Sequence, residues 1–143
     1  MPYEFLEDIA TADIAFHAWG DGIEETFRAA ADATMNVMVE ELDSIQPREK
    51  REMQLDNDAL DLLLFNFLQE FIYYKDSERL LLRPDKIVIQ RKEGHYTLKA
   101  SGLGERIDPS RHRLRVDVKA VTLHRFSLQK TGSGWKASVI LDI

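Results

Sequence analysis

Three charged residues stand inside stretches that otherwise read as apolar strand. Asp13 interrupts Thr11-Ala12-Asp13-Ile14-Ala15, and Lys119 interrupts Val116-Asp117-Val118-Lys119-Ala120-Val121-Thr122. Asp142 lies beside the last residue of Trp135–Ile143, a β-branched and apolar segment where chain ends are more often polar. A strand there sets the Asp142 side chain next to the carboxylate of Ile143. Adjacent anions repel unless a cation joins them, and oxygen donors without sulfur or imidazole select a hard ion such as Ca²⁺ or Mg²⁺. Asp13, Asp142 and Ile143 are therefore candidate cation ligands. Two other readings stay open: a solvated strand end, or Lys119 pairing with one of the carboxylates in place of a metal.

Other chemistry is sparsely represented. The chain has no phosphate loop, dinucleotide fingerprint, nucleophile elbow or helical pair of zinc-binding histidines. With no Cys, disulfides, thiolate zinc sites and cysteine nucleophiles are excluded. The histidines, His17, His95, His112 and His124, show no metal-ligand spacing and read as polar surface or edge-strand residues. His112 belongs to the basic run Arg111-His112-Arg113-Leu114-Arg115, which suits contact with phosphate or an acidic partner, or protection of a sheet edge.

The elements that must position these residues follow from hydrophobic periodicity. Tyr3–Leu6 and Asp13–Trp19 read as strands, with Ile14, Phe16 and Ala18 on one face of the second and Asp13, Ala15, His17 and Trp19 on the other. Gly20-Asp21-Gly22 breaks that strand, and Asp21 with Glu24 resembles a capping box opening a helix over 22–42. Glu49–Leu55 reads as a strand with Met53 and Leu55 inward. Asp56-Asn57-Asp58 supplies capping groups for a second helix over 58–74, whose wide stripe (Leu60, Leu63, Leu64, Phe67, Leu68, Phe71, Ile72, widened by Leu62 and Phe65) predicts deep burial against a sheet. Strands follow at Leu80–Arg91 (interrupted at Pro84), Tyr96–Ser101, Leu114–Leu128 and Trp135–Ile143, with turns at Glu93-Gly94 and Gly132-Ser133-Gly134. The stretch 102–113 is expected to be the longest loop. This pattern predicts a single α+β domain over 1–143: two layers, with two main helices packed on one face of a mostly antiparallel sheet.

Composition agrees. The 143 residues, 44% of them hydrophobic, suffice for one core, and no apolar run approaches the length of a membrane span. No signal peptide is visible, so the expected location is cytoplasmic. Residues 1–78 carry 5 Lys/Arg against 19 Asp/Glu, whereas residues 79–143 carry 14 against 6. The asymmetry gives either an acidic and a basic face for a protein partner, or simply two soluble surfaces. Strong nucleic-acid binding is not expected of a chain with net charge −6.

Taken together the motifs resemble the archease family, small proteins that assist the RtcB-type RNA ligase. The resemblance is carried by Tyr3-Glu4-Phe5-Leu6, Thr11-Ala12-Asp13-Ile14 with Ala18-Trp19-Gly20, and the two helices. It continues through Gly104-Glu105 with Ile107-Asp108 and Arg111-His112, Val118-Lys119-Ala120-Val121-Thr122, and Val139-Ile140-Leu141-Asp142-Ile143. It implies an α+β fold and a divalent cation, calcium first with magnesium or manganese as substitutes, on Asp13, Asp142 and Ile143. It implies a protein that is not an enzyme but promotes guanylylation and multiple turnover of the ligase in tRNA splicing and RNA repair, with Lys119 matching a position tied to that stimulation. One departure is Ala10, where the family commonly has His. Two rival functions are a metal-dependent hydrolase of a small phosphorylated substrate, revealed by turnover of the chain alone, and a general chaperone-like module, revealed by rescue of unrelated aggregating proteins.

Overall fold

The computed structural model describes residues 2–6 and 13–143. Its elements in chain order are β1 (Tyr3–Leu6), β2 (Asp13–Gly20), α1 (Ile23–Met38), a 3₁₀ turn (Leu42–Ser44), β3 (Glu49–Asn57), α2 (Leu60–Glu78), β4 (Leu80–Lys92), β5 (His95–Arg106), β6 (Ala120–Lys130) and β7 (Trp135–Asp142). The expected α+β architecture is present, with all strand pairs antiparallel. The strands divide into two sheets, ordered β1-β2-β7-β6 and β3-β5-β4. Helix α1 packs against β2 and β7 of the first and β4 of the second, while α2 touches β3 and β4 and also β6.

The core explains the helices. Ala29, Ala30, Ala31 and Ala33 are buried on α1, small residues that let its backbone approach its neighbours. Phe27 meets Phe67 of α2 with ring centroids 5.7 Å apart, and Phe67 stacks edge-on against Phe71 at 5.1 Å. Full burial of each such ring contributes about 2–3 kcal/mol. The predicted α2 stripe is buried at Leu63, Leu64, Phe67, Leu68, Phe71 and Ile72, but Leu62 is 38% exposed and does not widen it. Phe65 packs edge-on against Phe126 instead.

The helix boundaries differ from expectation for local reasons. Helix α1 ends at Met38, not Leu42. Carbonyls in its last turn, which have no partners within the helix, are taken by a distant segment: Arg115 N–H donates to Met38 O at 2.8 Å and Val116 N–H to Val37 O at 3.3 Å. Asp21 and Glu24 form no capping box, since Gly22 is the N-cap and the Asp21 N–H meets Glu25 at 3.4 Å. Asn57 does serve the start of α2, accepting the Ala59 N–H at 2.9 Å. Helix α2 runs one turn past Tyr74 and stops at Arg79, whose φ of 52° is left-handed.

Two strand assignments are corrected. The segment 102–106 is not loop but the end of β5, because Gly104 lets β4 approach; a Cβ there would lie 1.7 Å from the Leu81 carbonyl oxygen. The segment 114–119 is not part of β6; apart from one bridge between Val39 and Leu114 it is irregular, with Arg115 and Val116 donating to the end of α1. The irregular stretch therefore runs from Ile107 to Lys119. The interruption near Pro84 is a register shift between Pro84 and Ile87, and Glu93-Gly94 forms the hairpin turn with positive φ at both residues. Among the described residues no helix is long and apolar enough to cross a membrane.

Part of the charge asymmetry is consumed within the fold. Basic residues of the second half pair with acids of the first: Arg83 with Asp32 and Asp43, Arg106 with Glu49 and Glu78, and His95 with Asp56 and Asp58.

Candidate functional site

The residues singled out by their chemistry meet at one end of the first sheet. In the β2–β7 pair Asp13 lies directly opposite Asp142, and Ala120 opposes Asp142 from the other side. Directly opposed residues share a face, with Cβ atoms about 4.5–5.5 Å apart, so both carboxylates project together. That face is the outer one. Phe16, Ala18, Ala137, Val139 and Leu141 join the core under the helices, whereas Asp13, Ala15, Ile140 and Asp142 have the opposite parity. Asp13, Asp142 and Ile143 are each half-buried.

Lys119 arrives from the irregular segment, exposed, with its N–H donating to the Asp142 carbonyl at 2.8 Å. Among the described residues its ammonium makes no ion pair with Asp13 or Asp142. Ala10, Thr11 and Ala12 lie outside the described residues. The donor set fits a hard cation in kind: two carboxylates held face to face, where like charges destabilise a sheet unless neutralised. It is also sparse, since no three His, Cys, Asp or Glu side chains among the described residues are grouped to hold a metal. A third oxygen donor has to come from Ile143.

Segment 107–119, which delivers Lys119, is held by two buried charged groups. Lys75 of α2 is 7% exposed and donates to Asp117 at 2.5 Å and to the Val118 carbonyl at 3.0 Å, with Asp76 also at 2.5 Å. Burial pulls its pKa down, but the hydrogen bonds to Asp117 and Asp76 outweigh burial and raise it. Glu105, 4% exposed, accepts the Gln46 N–H at 2.6 Å and meets Arg111, with Arg48 at 3.3 Å. Burial pushes its carboxyl up, yet the Gln46 N–H, Arg111 and His112 together hold it at about 2.

His112 completes that cluster and is not a surface residue, being 2% exposed. Its Nδ1 accepts the Asp108 N–H at 2.9 Å, so Nε2 carries the proton and donates to Glu105 at 3.0 Å. Arg111, in turn, is spent on Glu105 and the Ser44 carbonyl rather than offered to a phosphate. The sequence reading missed Lys75 and Glu105; the hint for Lys75 was its place on the α2 stripe, four residues after Phe71 and three after Ile72, whereas Glu105, between Gly104 and Arg106, gave none.

A family model, that of the archease protein family, matches residues 3–143. The chain belongs to the archease family. The archease of Pyrococcus abyssi is 37% identical over 134 residues, covering 93% of this chain and 94% of that protein. The archease of Methanosarcina mazei is likewise 37% identical, over 142 residues, covering 99% and 95%. The solution structure of Methanobacterium thermoautotrophicum protein 1598 superposes with a TM-score of 0.85 at 31% identity, covering 99% of both chains. The archease fold thus spans the whole arrangement described here, from β1 to the end of β7.

Proposed function

We propose that this archease-family chain is a protein cofactor of an RtcB-type RNA ligase, promoting its guanylylation and multiple turnover in tRNA splicing and RNA repair. The observation that supports this most is the direct opposition of Asp13 and Asp142 with Lys119 bonded to the same strand end. In this reading Asp13, Asp142 and the main-chain oxygens of Ile143 hold a divalent cation, calcium or, in its place, magnesium or manganese. When bound, the cation neutralises the carboxylate pair and presents positive charge at the sheet end. Lys119 adds a second, exposed charge beside it, and the rest of the chain holds both in register. Such a surface suits a partner enzyme that handles phosphates and a covalent nucleotide, whose charge must be balanced in a defined geometry.

The test is a ligation assay at limiting ligase, with and without this chain. The wild-type chain should raise turnover and the guanylylated fraction of the ligase. Asp13→Asn, Asp142→Asn and a short tail appended after Ile143 should each lose that stimulation together with calorimetric cation binding. Full stimulation by all three variants would refute the assignment.

A further inference from the structure

We propose that a second site on the outer face of the first sheet binds an oxyanion, specifically a phosphate group, in the cleft under Arg125. Between the pairs Thr122↔Ile140 and Ser127↔Ser138, strand β6 carries residues 123–126 where β7 has only Val139. A cleft of about 230 Å³, lined by Arg125 and Ser127 of β6, opens beside this bulge on the face carrying Ala15 and Ile140, while Phe126 of the same bulge packs on Phe65 of α2. Arg125, within the bulge, has φ of 53°, a left-handed conformation uncommon for a non-glycine residue.

The cleft has a dry floor and polar walls. Ala15 and Ile140 are 2% and 5% exposed and lie outside the main core, so they form an apolar base. Around them stand Arg125, His17, Ser127 and Ser138. Strand register puts His17, Ser138 and Ser127 in one cross-strand row on that face, so their convergence follows from the pleat. Among the described residues neither serine hydroxyl nor the Arg125 guanidinium makes an intramolecular hydrogen bond or ion pair. Glu4 sits 3.7 Å from His17 on the cleft margin and opposes anion binding there, leaving the guanidinium and hydroxyls as the main donors.

Several donors approaching from different strands match a tetrahedral oxyanion, which has an oxygen for each. A planar carboxylate would be satisfied by the arginine fork alone. The row lies four residues along β2 and β7 from the Asp13–Asp142 pair, roughly 13 Å at strand spacing. The site does not rest on the cation reading.

Arg125→Gly makes a discriminating variant, because glycine relieves the left-handed backbone while removing the guanidinium. The full chain would be titrated with inorganic phosphate, and separately with a nucleoside monophosphate, in the presence of a chelator, following backbone amide NMR shifts. Saturable shifts at His17, Arg125, Ser127 and Ser138 with either probe are expected. Arg125→Gly should keep or raise the melting temperature and weaken binding at least about tenfold, and Ser138→Ala should weaken it less. A response to the nucleotide but not to inorganic phosphate would still place the phosphate here if Arg125→Gly removes it. Non-saturating shifts with both probes, or undiminished binding by Arg125→Gly, would overturn the proposal.

Discussion

Asp13 and Asp142, from opposite ends of the chain, are direct cross-strand partners on the helix-free face of a sheet. Like charges in that relation destabilise a pair of strands by about 0.2–1 kcal/mol. In chelator, Asp142→Asn should therefore be equal to or more stable than the wild type in urea unfolding. With a divalent cation added the order should reverse, since only the wild type gains from ligand binding. A variant less stable than wild type under chelation would mean that the two carboxylates are already neutralised by the protein.

Lys119→Ala removes an exposed ammonium and leaves its backbone bond to Asp142 intact. The melting temperature should barely move, as surface substitutions typically change stability by less than about 0.5 kcal/mol. Ligase stimulation should fall. Unimpaired stimulation would remove Lys119 from the proposed role.

Lys75→Met replaces a buried ammonium by an apolar side chain of similar length and leaves the Val118 carbonyl without its donor. A loss of about 1–3 kcal/mol is expected. Hydrogen exchange at the Lys119 amide should accelerate more than that of the α2 core, because the clamp on 117–118 precedes it in the chain. Uniform acceleration throughout would show that Lys75 supports only global stability.

Glu105 contributes a pH dependence of definite sign. Its carboxyl is held at about 2 in the fold against an ordinary value of 4.5. The stabilisation is fully present above 4.5 and is lost as pH falls through the folded value toward 2. Glu105→Gln should cost on the order of 3 kcal/mol at neutral pH, since Arg111 and His112 lose an anionic partner. Its urea midpoint should vary less than the wild type's between pH 4.5 and 2.

His95 works in the opposite direction. Its hydrogen bond to Asp58 raises its pKa, burial lowers it, and Asp56 adds to the rise. Its contribution is complete below the ordinary value of 6.5 and disappears as pH climbs through the raised one. In an NMR titration the His95 ring should change protonation above 6.5, and Asp58→Asn should bring it down. An unchanged midpoint in Asp58→Asn would assign the shift to another neighbour.

Much of this architecture was legible in residue types and spacing. The period-two alternation of 13–19 and 135–142 correctly separated the core face from the face bearing Asp13 and Asp142. The stripe from Leu63 to Ile72 announced a buried helix, and Glu93-Gly94 announced its hairpin. These signals are local, because a residue's burial recurs with the period of its own element. What the tertiary structure alone decided was which groups meet across the chain. Leu114–Lys119 has the composition of a strand, yet Arg115 and Val116 spend their donors on α1, so the segment stays out of the sheet. His112 reads as a surface base until Glu105, seven residues earlier, is seen to be buried against it. The strand carrying Arg125 looked continuous, and only its pairing with β7 revealed a bulge in which residues 123–126 stand against Val139 alone. Periodicity records which side of an element avoids water. It carries no address for the partner that covers that side, or for the donor that satisfies a distant carbonyl.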